Sequence, residues 1–103
     1  MKSNQRKNEI RKHLRVLIPN VTMEDFLEIE AIADAGHLRH LPPSIIAWQA
    51  ITTRIRHAHT EYDELLKEGY DAESARHFVI DAINDKLAEW GATKTVSENK
   101  NSV

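Results

Sequence analysis

Apolar residues recur at three- and four-residue steps along most of this chain, and its few prolines and glycines fall between those stretches rather than inside them. That spacing puts apolar side chains on one face of a helix with 3.6 residues per turn. There is no strand-like alternation and no internal repeat. Only 3 Gly and 3 Pro occur in 103 residues, which argues against a turn-rich β architecture. The expectation is an all-α fold, a compact bundle of about four helices ending in an antiparallel helical hairpin.

The first helix is expected over about residues 4–17, with Ile10, Leu14 and Leu17 as its stripe. Pro19 stops it by driving the preceding residue out of helical conformation. Thr22, followed at three residues by Asp25, resembles a capping box that opens a second helix running to about residue 35. Phe26, Leu27, Ile29, Ile32 and Ala33 would face inward, and Gly36 is placed as a left-handed C-terminal cap. Pro42 and Pro43 rigidify the entry to a third helix over residues 44–67, ended by Gly69. Trp48, Ile51, Ile55, Ala58, Tyr62, Leu65 and Leu66 share its face. One unbroken helix is favoured there over a break at Thr60, where Thr60 and Asp63 would form a fresh cap. Asp71 is the N-cap of a fourth helix over residues 72–90, with Ala75, Val79, Ala82, Ile83, Leu87 and Trp90 inward and Gly91 closing it. One domain over residues 1–92 is expected, with a flexible tail over 93–103.

The net charge is −2, unevenly spread. Residues 2–15 carry Lys2, Arg6, Lys7, Arg11, Lys12 and Arg15 against one acid, Glu9. Residues 16–38 carry Glu24, Asp25, Glu28, Glu30 and Asp34 and no Lys or Arg. The chain has no Cys, which excludes disulfides, thiolate nucleophiles and Cys-ligated metals. No apolar run reaches the roughly 18 residues a membrane span needs. The basic start is followed by no apolar signal core, and a cytoplasmic protein is expected.

Four constellations carry possible chemistry. Arg56, Thr60 and Asp63 fall at i, i+4, i+7 on one flank of the third helix, and the hairpin would bring Arg76 of the fourth towards Asp63. A partly buried ion pair is the favoured reading, since a guanidinium can grip a carboxylate with two bonds. The alternative is an outward Arg56 or Arg76 that holds an anion such as phosphate. His37, His40, His57 and His59 lie close in sequence. However, residues two apart on a helix point about 200° apart, so His57 and His59 suit no common metal ion. No metal and no cofactor are expected. General acid–base work could use His57 with Asp63 or Glu64, but Ser44 is better explained as a helix-start residue than as a nucleophile, and there is no Gly-rich phosphate loop. The basic first helix could neutralise nucleic-acid phosphates through Arg6, Lys7, Arg11, Lys12 and Arg15. The favoured reading is a solvated face packed on the acidic second helix. Aromatics are too few for a base-stacking platform.

The stretch 55–66 is similar to the signature of domain-of-unknown-function family 2293. The likeness is carried by Arg56-His57, Thr60 after two intervening residues, Tyr62-Asp63 and Leu65-Leu66. Gly69, Ala75-Arg76 and Trp90 continue it, and Ile18-Pro19 with the acidic second helix resembles the family's opening. It covers about residues 9–91. The resemblance implies a single compact domain centred on the third and fourth helices, and it brings no assigned activity or cofactor. It marks Arg56, His57, Thr60, Tyr62, Asp63 and Arg76 as positions to test. His57 stands out, because periodicity places it outside the core although it belongs to the shared string. Either a break near Thr60 turns it inward, or it acts at the surface.

The function expected from these readings is a non-catalytic module that binds a protein partner or itself. The apolar and aromatic residues at stripe margins, Trp48, Tyr70 and Phe78, are its motivation. Arg54, Arg56, His57, Thr60, Tyr62, Asp63 and Arg76 are the candidate binding residues. Nucleic-acid binding through the first helix is the alternative, and a small hydrolase centred on His57 and Asp63 is the third reading.

Overall fold

The computed structural model describes residues 2–97, with side chains from Gln5 onward. Among the described residues the fold is all-helical: α1 (Lys2–Leu17), α2 (Met23–Ala33), a 3₁₀ turn (Gly36–Leu38), α3 (Pro43–His59), α4 (Tyr62–Lys67), α5 (Ala72–Phe78) and α6 (Ile80–Glu89). The expected four helices become six because the third and fourth each break once.

α3 is the axis of the molecule. It packs against α1 and α2 on one side and α6 on the other, while α4 packs on α5. Its inward face is denser than the single apolar stripe of the sequence suggests. Ile46, Ala47, Ala50, Ile51 and Ile55 are buried, and the small Ala47 and Ala50 admit neighbouring backbones closely. Leu14 and Ile18, Ile29, and Leu87 and Trp90 meet this face to make one core. Leu27, Ala58 and Ala82, expected inward, lie at exposed positions, and Leu66 is half-exposed.

Local chemistry explains the helix ends. Thr22 accepts a hydrogen bond from the Asp25 backbone, and Asp71 accepts one from the Ser74 backbone, so both expected N-caps form. Pro42 and Pro43 open α3, with the Pro42 carbonyl accepting from Ile45 and Ile46. α2 ends two residues before its expected limit. Gly36 is not a left-handed cap, since it starts the 3₁₀ turn, and among the described residues only Gly69 and Gly91 have positive φ. Those two close α4 and α6 by the same device. Gly69 and Tyr70 donate to the Leu66 and Leu65 carbonyls, and Gly91 and Ala92 donate to those of Ala88 and Leu87.

The unbroken third helix is corrected by the structure. Thr60 leaves helical conformation at φ −136° and ψ 174°. Its hydroxyl donates to the Arg56 carbonyl at 2.6 Å and accepts from the Tyr62 amide at 3.1 Å. A short hydroxyl side chain that satisfies backbone groups on both sides competes with the helix's own ladder and ends it. The second break falls at Val79, beside Ile80, where two β-branched residues adjoin. It lets α5 stay on α4 while α6 runs along α3.

Beyond α6 the chain returns along that helix. The Asn84 amide donates to the Val96 carbonyl at 3.1 Å and accepts from the Val96 amide at 2.8 Å. The Lys94 ammonium lies 4.3 Å from the Trp48 ring centre. The rest of the expected tail, residues 98–103, lies outside the described residues.

Candidate functional site

The residues singled out in the sequence divide by location into three groups. The first is structural. Asp25 is buried at the start of α2, and three donors converge on its carboxylate from α3 and from its own cap. Arg54 Nε lies at 2.7 Å, His59 Nε2 at 3.0 Å and the Thr22 hydroxyl at 3.1 Å. Burial would raise the Asp25 pKa, but the bonds from His59, Arg54 and Thr22 and the charge of His59 outweigh it. The carboxyl is held below its ordinary value. Arg54, a candidate binding residue, is thereby committed to joining α2 to α3. Sequence reasoning treated Asp25 only as a capping acid. The missed signal is its register: with Ile29 and Ala33 it lies at i, i+4, i+8, on the inward stripe.

The second group surrounds the α3–α4 break. His57 Nδ1 lies 2.7 Å from Asp63 Oδ1, and both side chains are about half exposed. On a continuous helix these residues would point about 120° apart. The break at Thr60 brings them together. His57 therefore stays at the surface, and the break supplies its partner instead of turning it inward. The expected Asp63–Arg76 ion pair does not form, because Asp63 is turned to His57. Tyr62 is buried, with its ring edge-on to His57 at 5.3 Å and beneath the Arg56 guanidinium at 5.2 Å. Thr60 serves the backbone. The second ring nitrogen of His57 has no hydrogen-bond partner among the described residues, so no nucleophile is bonded to the pair.

The third group lines a groove between α3, α5 and α6 of about 190 Å³, with Val96 and Ser97 along its border. Trp48, Thr52 and Arg56 come from α3, Arg76 and His77 from α5, and Ile80 and Ile83 from α6. The Arg56 Nε is buried and has no hydrogen-bond partner among the described residues. Burial chiefly, and the like charge of Arg76 in addition, pull the Arg56 pKa below its ordinary value, against the opposing effects of Tyr62 and Asp63. The guanidinium stays protonated at neutral pH. Next to the groove, His77 contacts Phe78 edge-on at 5.8 Å, and Phe78 contacts Tyr70 at 5.3 Å. Phe78 is 57% exposed and Tyr70 44%. No sequence signal pointed to His77.

The family model described as "Uncharacterized conserved protein (DUF2293)" matches residues 13–91. The chain belongs to this family. The match runs from the middle of α1 to the glycine that closes α6, so the DUF2293 unit here is the whole packed core without the first turns of α1 and the returning segment. It contains the Asp25 junction, the His57–Asp63 pair and every helical residue of the groove. No curated protein and no solved structure matches the chain.

The basic residues of α1 are largely spent within this DUF2293 fold. Arg6 donates to the Arg39 and Leu41 carbonyls, Arg11 pairs with Glu30 of α2, and Arg15 lies 5.7 Å from the Phe26 ring centre. Lys12 faces Glu9 at 3.7 Å, and Lys7 is exposed. The side chain of Lys2 lies outside the described residues. Among the described residues no group of three His, Cys, Asp or Glu is placed to hold a metal ion, and no helix is long and apolar enough to cross a membrane.

Proposed function

We propose that this domain is a non-catalytic protein-interaction module of the cytoplasm. The observation that carries this reading is the aromatic pair Tyr70–Phe78, exposed at the α4–α5 hairpin and continuous through His77 with the groove beside Trp48. Large exposed aromatics next to a cleft cost solubility and are characteristic of docking surfaces, where they supply rigid apolar area. Among the described residues no nucleophile is bonded to the exposed His57–Asp63 pair, which supports a binding role over a catalytic one. The sequence has no Cys, and no helix among the described residues is long and apolar enough to cross a membrane, both in keeping with the cytoplasm.

The test compares the wild-type domain with Phe78→Ser, Tyr70→Ser and the control Val16→Ser, a still more exposed apolar residue on α1. Light scattering reads self-association, and quantitative affinity capture reads partners. Loss of a specific association in the two aromatic variants, with the control unaffected, is the expected outcome. A monomeric wild type whose captured proteins match those of all three variants would refute the reading.

A further inference from the structure

This inference rests on the interaction-module reading and names what the groove takes. Its volume, about 190 Å³, is below the roughly 300–1,000 Å³ of small-molecule and cofactor sites. It holds one large side chain. Its lining is apolar at Trp48, Ile80 and Ile83 and carries two guanidiniums from different helices, Arg56 and Arg76, against one carboxylate, Glu73. Two cations placed together in one small cleft repel each other, an arrangement that an incoming anion relieves. Among the described residues nothing accepts from the buried Arg56 Nε, and a buried unpaired donor is costly to leave unmade. Glu73 also lines the groove and takes part in an interaction of its own, but it does not bond the Arg56 Nε. Asp63, the nearest candidate from the sequence, is bound to His57.

We propose that the groove between α3, α5 and α6 binds an acidic segment of a partner protein, seating one apolar side chain against Trp48 and a neighbouring carboxylate on Arg56 and Arg76. The two guanidiniums select an acidic peptide, and the volume selects a single anchor residue over a cofactor. Arg76 is exposed and tunes recognition, whereas the half-buried Arg56 also carries the Tyr62 ring.

The experiment titrates isotope-labelled domain with acetylated hexapeptides alternating Glu with Leu, Ile, Phe or Trp, and with the same peptides carrying Gln for Glu. The Trp48 indole and the amides around Arg76 are the readout. At least one acidic peptide is expected to shift these signals in a salt-sensitive way. Its Gln counterpart should bind about tenfold more weakly or worse, the loss of one charge-assisted contact. Arg76→Glu should weaken the acidic peptide at least as much while leaving the rest of the spectrum unchanged. Since Arg56→Gln risks the fold, Arg76 carries the test. Equal binding of Gln and Glu peptides, or no shift with any of them at millimolar concentration, overturns the acidic ligand. If Phe78-dependent association persists in that case, the interaction reading still stands. Self-association abolished by Arg76→Glu in the absence of peptide would assign the groove to a second copy and overturn the proposal, as would tighter binding of a short RNA than of any peptide.

Discussion

At the scale of single residues, Asp25 decides most. Its carboxylate is 9% exposed and takes donors from Arg54, His59 and Thr22. Removing it leaves a half-buried guanidinium with no acceptor, so Asp25→Ala should cost about 3 kcal/mol in chemical denaturation. Asp25→Asn, which keeps an acceptor of the same shape, should cost less. Because the folded pKa lies below the unfolded value of about 3.9, the contribution is full above that pH and is lost as pH falls through the folded value. Denaturation midpoints should therefore fall with acid below about pH 4 in the wild type and do so less steeply in Asp25→Asn. Such a residue is hard to read in a sequence. The spacing that put Ile29 and Ala33 inside also put Asp25 inside, but an acid near a helix start has a ready surface explanation in the dipole. The groove shows the reverse case. Trp48, Arg56 and Arg76 were each visible, yet only the fold could show that Arg56 and Arg76 share one cleft and that Asp63 does not join them.

At the scale of helices, the apolar periodicity located every α-helical stretch but overran the two breaks and missed the 3₁₀ turn. Thr60 and Val79 do not disturb a 3.6-residue pattern, so a stripe continues through them while the backbone does not. Thr60 ends α3 through one hydroxyl with two bonds. Thr60→Ala should cost about 1 kcal/mol and loosen the turn that presents Asp63 to His57. The ring contact between His57 and Tyr62, seen as a nuclear Overhauser effect, should weaken with it. An unchanged contact would mean that packing alone sets the break. The two glycine caps, both readable in the sequence, make a second pair of predictions. A Cβ at Gly69 would meet open space, so Gly69→Ala should cost about 1 kcal/mol for its left-handed backbone alone. At Gly91 the same atom would stand 2.8 Å from Asn20 Nδ2 and 3.0 Å from Pro19 Cγ. Gly91→Ala should therefore cost about 2 kcal/mol or more, and equal losses at the two sites would refute the steric argument.

At the scale of the whole molecule, the uneven charge of the sequence is resolved as packing. The basic α1 and the acidic α2 meet through Arg11 and Glu30, and Arg6 satisfies carbonyls beyond the 3₁₀ turn. Arg11→Glu, which sets two acids against each other, should lower stability by about 1 kcal/mol, discounted for its exposure. Helical domains usually fold fast because their contacts are local. Here, however, the Asn20 amide donates to the Trp90 carbonyl at 2.9 Å, and Ile18 and Trp90 share the core. Closing that loop costs chain entropy that local helices do not repay. The seam between the end of α1 and the end of α6 should thus be the last part to zip up and the first to open. In stopped-flow measurements Gly91→Ala should speed unfolding and leave the refolding rate nearly untouched. Slower refolding would place the seam in the nucleus instead. A helical protein of this size would then owe its lifetime in the folded state to a single clasp between distant parts of its chain.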